Sequence, residues 1–337
     1  MNIKQLAQAL GLSTSTVSRA LNGYTDVNPQ TRLRVQEMAQ AQGYRPDAGA
    51  RRLVRGKADA IGIVYPVSVE SLGNPQFLDM AGGVAQRLEQ DQFDLLLAVA
   101  ADQHETRIYE RLFLGGRVDA VIVPNTRVQD NRIEFLLDKA YPFVAYGRTA
   151  DCDRYSWFDF DNHLGSRLAV QHLLALGHTR FAYVHAPLEL NFAFQRQAGL
   201  MAALQEAGLD CPQAYQVGGV LDRRSGLEAV SRLLSLPQRP SAIVVDNNLG
   251  GIGVIRGLLN AGVAVGKDIS VVVHGYIPAD SLLPGMQVTT VSQPTAHAAG
   301  VAMADMVLRV LHEPQAGPFQ VLMPPQLIAG STAGPVS

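Results

Sequence analysis

The sequence predicts a small all-α helix-turn-helix head followed by an α/β domain built as two Rossmann-like subdomains. Three observations predict this. The first 57 residues place apolar side chains at helical spacing, broken by Gly and Asn, and carry a charge opposite to that of the rest. From Asp59 onward, short Val/Ile/Ala runs alternate with amphipathic helical stretches. That alternation occurs in two halves, broken near Asp161–Gly165 and again near Gln293. At 337 residues the chain is long enough for two or three domains.

In the head, Ile3, Leu6, Ala7 and Leu10 share one helical face, and Gly11 stops that helix. Ser13 is a natural N-cap for a second helix through Thr16, Val17, Ala20 and Leu21, which Asn22-Gly23 ends. Asn28 or Thr31 opens a third helix, with Leu33, Val35, Met38 and Ala39 inward and Gly43 as its terminator. Two short helices joined by a tight Gly-containing turn and braced by a third make a helix-turn-helix. Its second helix exposes Thr14, Ser15, Ser18 and Arg19. Small hydroxyl residues let a helix sit deep in a major groove, and arginine can bond a guanine edge through two N–H groups. Charge agrees: residues 1–57 hold nine Lys/Arg against three Asp/Glu, net +6, while the remainder holds 19 against 27, net −8. A basic segment on an acidic body suggests a polyanion partner for the small part only.

In the large part, AIGIVYPV, FDLLLAVA, DAVIVP, PFVAYG, RFAYVHA, SAIVVDN and ISVVVHG read as buried parallel strands, and YSWFDFD is strand-like. FLDMAGGVAQRLEQD, LAVQHLLAL, AGLMAALQEAG and GIGVIRGLLNAG read as the helices between them. Doubly wound sheets bind small molecules at the carboxyl ends of their strands, here in the cleft between the two halves. Polar groups at those ends are therefore candidates: Arg148 after PFVAYG, Asp161 after YSWFDF, Asp246 after SAIVV and His274 after ISVVV. Phe77, Trp157 and Phe194 are candidate rings for the apolar face of a ligand. Arg and Asp bond paired hydroxyls bidentately.

Several classes are excluded. There is no G-x-G-x-x-G after a first strand, no P-loop, no nucleophile elbow and no His/Cys cluster at metal spacing. The expectation is a non-enzyme with no cofactor and no metal. Cys152 and Cys211 make no disulfide framework. His178, in LGHTR, is expected to cap a helix. No apolar run reaches the roughly 18–20 residues of a membrane span. MNIKQLAQALG is too polar for a signal-peptide core, which points to the cytoplasm.

TVSRALNG followed by VNPQTRLRVQEMAQAQGYRPD resembles the DNA-binding head of the lactose/galactose-repressor (LacI/GalR) family of bacterial transcription regulators. The resemblance continues through FDNHLGSRLAVQHLLALGH, TTVSQPTAHAAGVAMADMVLRVL and LIAGSTA, and so covers essentially the whole chain. It implies that Thr14, Ser15 and Arg19 read bases, while Thr16, Ser18, Asn22 and Thr31 contact the phosphate backbone. It implies a hinge helix in DAGARRLVR, ordered on operator DNA, with Leu53 wedging a base step and Arg51, Arg52 and Arg55 facing phosphates. The implied domains are a head at 1–46, a hinge at 47–58 and an effector-binding, dimerising domain at 59–337, akin to periplasmic binding proteins. Its N-subdomain is expected at about 59–160 and 293–320, and its C-subdomain at about 161–292 and 321–332.

The same resemblance places Asn74 and Phe77 at the mouth of the first effector-domain helix and Arg196 in the family's main ligand-binding slot. Phe194 stands beside Arg196 in NFAFQRQAG. Arg148, Arg196, Asp161 and Asp246 balance in charge, which favours a neutral sugar. AYGRTAD and GNPQF resemble regulators of α-glucoside or related oligosaccharide use. At VVVHGYIPAD the chain departs from the family pattern: Gly275 replaces the usual acid, and His274 stands in the aromatic position. The implied function is a repressor, bound as a homodimer to pseudo-palindromic operator DNA and released by a sugar. The alternatives are a corepressor-dependent regulator and a cytoplasmic solute-binding module. No heptad tail follows LIAGSTAGPVS, which argues for a dimer rather than a tetramer.

Overall fold

A computed structural model describes residues 2–21, 23–44, 56–66, 75–100, 105–278, 281–282 and 284–336. It divides into two compact units, Met1–Ala58 and Asp59–Ser337.

The first unit contains α1 (Ile3–Leu10), α2 (Thr14–Leu21) and α3 (Pro29–Ala41). Asn2 and Gln5 form a reciprocal capping box on α1, each side chain accepting from the other's backbone N–H at 3.0 Å. Gly11 closes α1 in the left-handed conformation, at φ 66°. Ser13 Oγ accepts from Thr16 N at 3.1 Å and caps α2. Asn28 caps α3, accepting from Gln30 N at 2.9 Å, with Pro29 as the first helical residue. Leu6, Ala7, Leu10, Val17, Ala20, Val27, Val35 and Ala39 form the shared core. Leu33 is not in it: it is 56% exposed, against the inward position expected. Two residues along a helix turn through about 200°, so Leu33 cannot share the face of Val35 and Ala39.

The second unit has two lobes, each a six-stranded sheet. The first lobe runs β1 (Ala60–Pro66), α4 (Pro75–Glu89), β2 (Asp94–Ala100), α5 (Glu105–Leu114), β3 (Ala120–Val123), α6 (Asn131–Asp138), β4 (Phe143–Tyr146) and β5 (Ser156–Phe160). The second runs α7 (Asn162–Ala175), β6 (Phe181–Val184), α8 (Asn191–Glu206), β7 (Gln216–Val217), α9 (Arg223–Leu234), β8 (Ala242–Val245), α10 (Asn248–Asn260), β9 (Ser270–His274) and β10 (Thr289–Ser292). The chain then returns as α11 (Ala296–His312) and β11 (Gln320–Met323), and ends with β12 (Gln326–Ile328). Strand order is β11-β5-β4-β3-β1-β2 in one sheet and β12-β10-β9-β8-β6-β7 in the other. Every pairing is parallel except β10 with β12.

β11 pairs with β5 from Gln320↔Trp157 to Met323↔Phe160, so it belongs to the first lobe. The last passage between lobes thus falls between Met323 and Gln326, a few residues beyond the expected position at 320. The seven apolar runs and YSWFDFD form strands; β7, β10, β11 and β12 were not expected. Each of these four is two to four residues long, and β10, β11 and β12 mix polar with apolar positions.

Helix pairs cover the sheets by close backbone approach at glycines. A Cβ at Gly83 would strike the carbonyl oxygen of His297, and one at Gly300 that of Met80, joining α4 to α11. Gly199 meets His163 O between α8 and α7, and Gly226 meets Gly250 O between α9 and α10. No described helix is long and apolar enough to cross a membrane.

Candidate functional site

The strands of both lobes end at a common cleft, a cavity of about 680 Å³. Tyr65 closes β1, Tyr146 closes β4, and Asp159 with Phe160 closes β5 on one side. Asn247 and Asn248 follow β8, and His274 with Gly275 ends β9, on the other. Parallel sheets deliver polar groups here because the ladder ends while the following helix has yet to begin.

Arg196 projects from the first turns of α8 and is buried, 8% exposed. Its Nε donates to Asn162 Oδ1 at 2.9 Å, and its Nη1 donates to the Asp246 carbonyl. The guanidinium lies 4.9 Å over the Phe192 ring. No described residue accepts from Nη2, and Arg196 lines the cavity. Burial lowers the guanidinium's pKa from its ordinary value, while Asp246 opposes that shift. An arginine keeps its charge through such a shift.

Asp246 is fully buried. Both carboxylate oxygens accept from Ala186 N at 3.0 Å, and Oδ1 accepts from Asn247 Nδ2 at 2.8 Å. Burial raises its carboxyl pKa, against the pull of Arg196. It therefore organises Arg196 and Asn247 and does not itself line the cleft. His274 does line it. Its Nε2 lies 3.1 Å from Ser166 Oγ, and its Nδ1 is buried without a hydrogen-bond partner. Burial, then Arg196, holds the ring well below its ordinary pKa, so it is neutral near pH 7.

The other expected residues divide. Phe77 lines the cleft, its ring 4.0 Å from that of Tyr65. Arg148 stands behind the wall: its Nε donates to Asp159 Oδ2 at 2.9 Å and its Nη2 to Gln195 Oε1 at 3.0 Å. Asp161 is taken up as the N-cap of α7, accepting from Leu164 N at 2.9 Å, and does not line the cleft. A helix following a strand needs that acceptor, and the cleft-lining positions fall to Asp159 and Asn162 instead. Phe194 is 48% exposed and away from the cavity, which Phe192, two residues earlier, faces instead. On a helix those two positions point to different sides. Trp157 is a core residue. His178 caps its helix through the backbone, its N–H donating to Leu173 O at 3.1 Å beyond the left-handed Gly177; the ring does not cap but bridges Ser241 Oγ at 3.1 Å and Gly334 O at 3.0 Å.

Asn125, Arg127, Asn162, Phe192, Asp222, Asn247 and Asn248 also line the cleft and were not singled out from sequence. Asp159 carried a legible signal, since an acid inside a buried strand demands a partner. One lip of the cleft is stitched by backbone: Val128 N donates to Glu189 O and Asn191 N to Thr126 O, both at 2.9 Å. Behind Arg127 lies a buried ion cluster. Arg132 Nη1 donates to Glu105 Oε2 at 2.8 Å and Nη2 to Asp130 Oδ2 at 2.6 Å, while Arg127 Nη2 donates to Glu105 Oε1 at 2.9 Å. Burial opposes the charge on Arg132, yet Asp130 holds its pKa above the ordinary value.

In the head, Thr14, Ser15 and Arg19 are exposed, and Ser18 and Thr31 are half-buried. Thr16 Oγ1 lies 2.8 Å from Ser13 Oγ. Arg19 pairs with Asp26. Asn22, Arg51, Leu53, the hinge helix and Asn74 lie outside the described residues. Among the described residues no group of His, Cys, Asp and Glu could hold a metal.

The family described as "Bacterial regulatory proteins, lacI family" matches residues 2–47, and "Periplasmic binding proteins and sugar binding domain of LacI family" matches residues 58–330. The HTH-type transcriptional regulator RafR of Escherichia coli is 39% identical over 334 residues, 98% of each chain. AglR of Rhizobium meliloti (strain 1021), also an HTH-type transcriptional regulator, is 35% identical over 342 residues, covering 99% of this chain and 95% of its own. A solved complex of the transcriptional regulator CelR with cellobiose is 25% identical with a TM-score of 0.74, covering 98% of this chain and 99% of that one.

Proposed function

The chain belongs to the LacI family of bacterial regulatory proteins, and on that premise we propose that it is a cytoplasmic, homodimeric repressor released from a pseudo-palindromic operator by a neutral sugar. One observation carries the neutral ligand. The cleft is lined by Arg127, Arg132 and Arg196 and by Asp159, Glu189 and Asp222, three charges of each sign among the described residues. Such a wall offers donors and acceptors to hydroxyls but no net field for a phosphate or carboxylate. Tyr65, Phe77, Phe160 and Phe192 supply rings for the C–H faces of a sugar. The cavity volume and the cellobiose held by CelR favour an oligosaccharide over a single ring; the α-glucoside type rests on the resemblance of AYGRTAD and GNPQF, since cellobiose itself is β-linked.

The release mechanism is population shift. A sugar bridging Arg196 of one lobe and the Asp159 wall of the other favours one lobe arrangement. A few kcal/mol of differential affinity then moves the operator-bound fraction by orders of magnitude. A thermal-shift screen with mono- and disaccharides, followed by titration of the hits into an operator complex, tests this. Sugar-driven release supports the proposal. Tightening would make the ligand a corepressor, and a chain that binds no operator at all would be a solute-binding module.

A further inference from the structure

The loop between α2 and α3 carries Asp26, the one acid in residues 1–36. It grips Arg19: Nε donates to Oδ1 at 3.3 Å, and Nη2 donates to Oδ2. The Arg19 guanidinium also lies 5.1 Å over the Tyr24 ring. The loop is itself anchored. Arg32 Nη2, from α3, donates to the Tyr24 carbonyl at 2.6 Å and reaches the Val27 carbonyl at 3.4 Å, and Val27 is in the head's core. So α3 pins the loop, and the loop holds Arg19 by one edge and one face.

We propose that Asp26 is a positioning residue for base reading, which presents Arg19 to guanine. A guanidinium has two edges that can make paired hydrogen bonds. Asp26 occupies the Nε/Nη2 edge. The Nη1/Nη2 edge remains, and no described residue accepts from Nη1. That edge matches the paired O6 and N7 acceptors of guanine in the major groove. A free arginine side chain loses much rotamer freedom on binding and can swing to a phosphate instead; a buttressed one does neither. Fold stability does not explain the pair, because the two side chains are 50% and 54% exposed and such pairs contribute little. A carboxylate on a phosphate-facing surface also repels DNA of every sequence. Asp26 thus lowers general affinity while sharpening discrimination.

The inference rests on Arg19 being a base reader, so the experiment separates the two claims. Full-length wild type, Arg19→Ala, Asp26→Ala and Asp26→Asn are each put through selection from a randomised duplex library. Affinity for the selected site and for random duplex is then measured at one salt concentration. Arg19→Ala should abolish preference at one symmetric base-pair position. Asp26→Ala should relax preference at that same position by roughly tenfold while random-duplex affinity holds or rises. Asp26→Asn, which keeps one acceptor, should fall between. A merely structural role would lower both affinities together, and that result overturns the proposal. So does an Asp26→Ala preference identical to wild type while Arg19→Ala loses it. If Arg19→Ala itself leaves the preference unchanged, the base-reader assignment falls, and the proposal with it.

Discussion

Replacing Arg196 by alanine removes the guanidinium around which the cleft is organised. Arg196 lines the cavity and its Nη2 has no acceptor among the described residues; a hydrogen bond to a charged group contributes about 1.5–3 kcal/mol. Losing one hydroxyl contact should therefore weaken the sugar by about 1.5–3 kcal/mol, roughly 10- to 150-fold. The variant also leaves Asn162 Oδ1 and the Asp246 carbonyl without their donor and removes the positive charge that most opposes the raised pKa of the Asp246 carboxyl. Each orphaned acceptor costs about 1–3 kcal/mol of stability in this unit. The head has its own core and caps, so affinity for operator should not change. The assay uses the sugar that most stabilises the wild type, at a dose near one hundred times its Kd. There the wild type gains about 2.7 kcal/mol; a variant weakened one hundredfold gains about 0.4 kcal/mol. Fluorescence anisotropy on an operator duplex then reads release at the same dose. If Arg196→Ala is stabilised and released like wild type, the guanidinium serves the fold and not the ligand.

Gly83→Ala should destabilise the first lobe by roughly 1–3 kcal/mol, because the new Cβ meets the His297 backbone rather than a movable side chain; calorimetry should show a lowered melting transition for that unit. Asp130→Asn leaves Arg132 buried beside a weakened partner set, and breaking such a buried pair costs about 3–5 kcal/mol, read as a lower urea midpoint. For pH, the folded His274 ring titrates well below 6.5 while the unfolded chain takes its proton near 6.5. Stability from this site is thus fully present above pH 6.5 and falls below it, by up to about 1.4 kcal/mol per pH unit. Urea midpoints between pH 7.5 and 5 should fall less steeply in His274→Gln, and parallel curves would refute the assignment.

Sequence alone determined the features that depend on neighbours along the chain. Gly11, Ser13 and Asn28 act at helix ends, where capping is a matter of a few residues. The Val/Ile runs became strands because a strand buried on both faces must be apolar throughout. Arg196, Phe77 and His274 were legible because they stand at strand ends or in a long motif. What tertiary structure alone decided is which atoms of distant segments meet. Asp159 and Asp161 are two residues apart and both acidic, yet one faces the cleft and the other caps α7. Phe192 and Phe194 differ only by a rotation of about 200° on α8. Asp246 stands at a strand end as expected, but Ala186 and Asn247 turn its carboxylate inward. Likewise Gly83, Gly199 and Gly226 read as weak helix residues until their partners supply a carbonyl in contact. Local sequence sets conformation through short-range sterics and hydrogen bonds. The side of a helix or strand that lines the cleft is set by packing against residues distant in the chain.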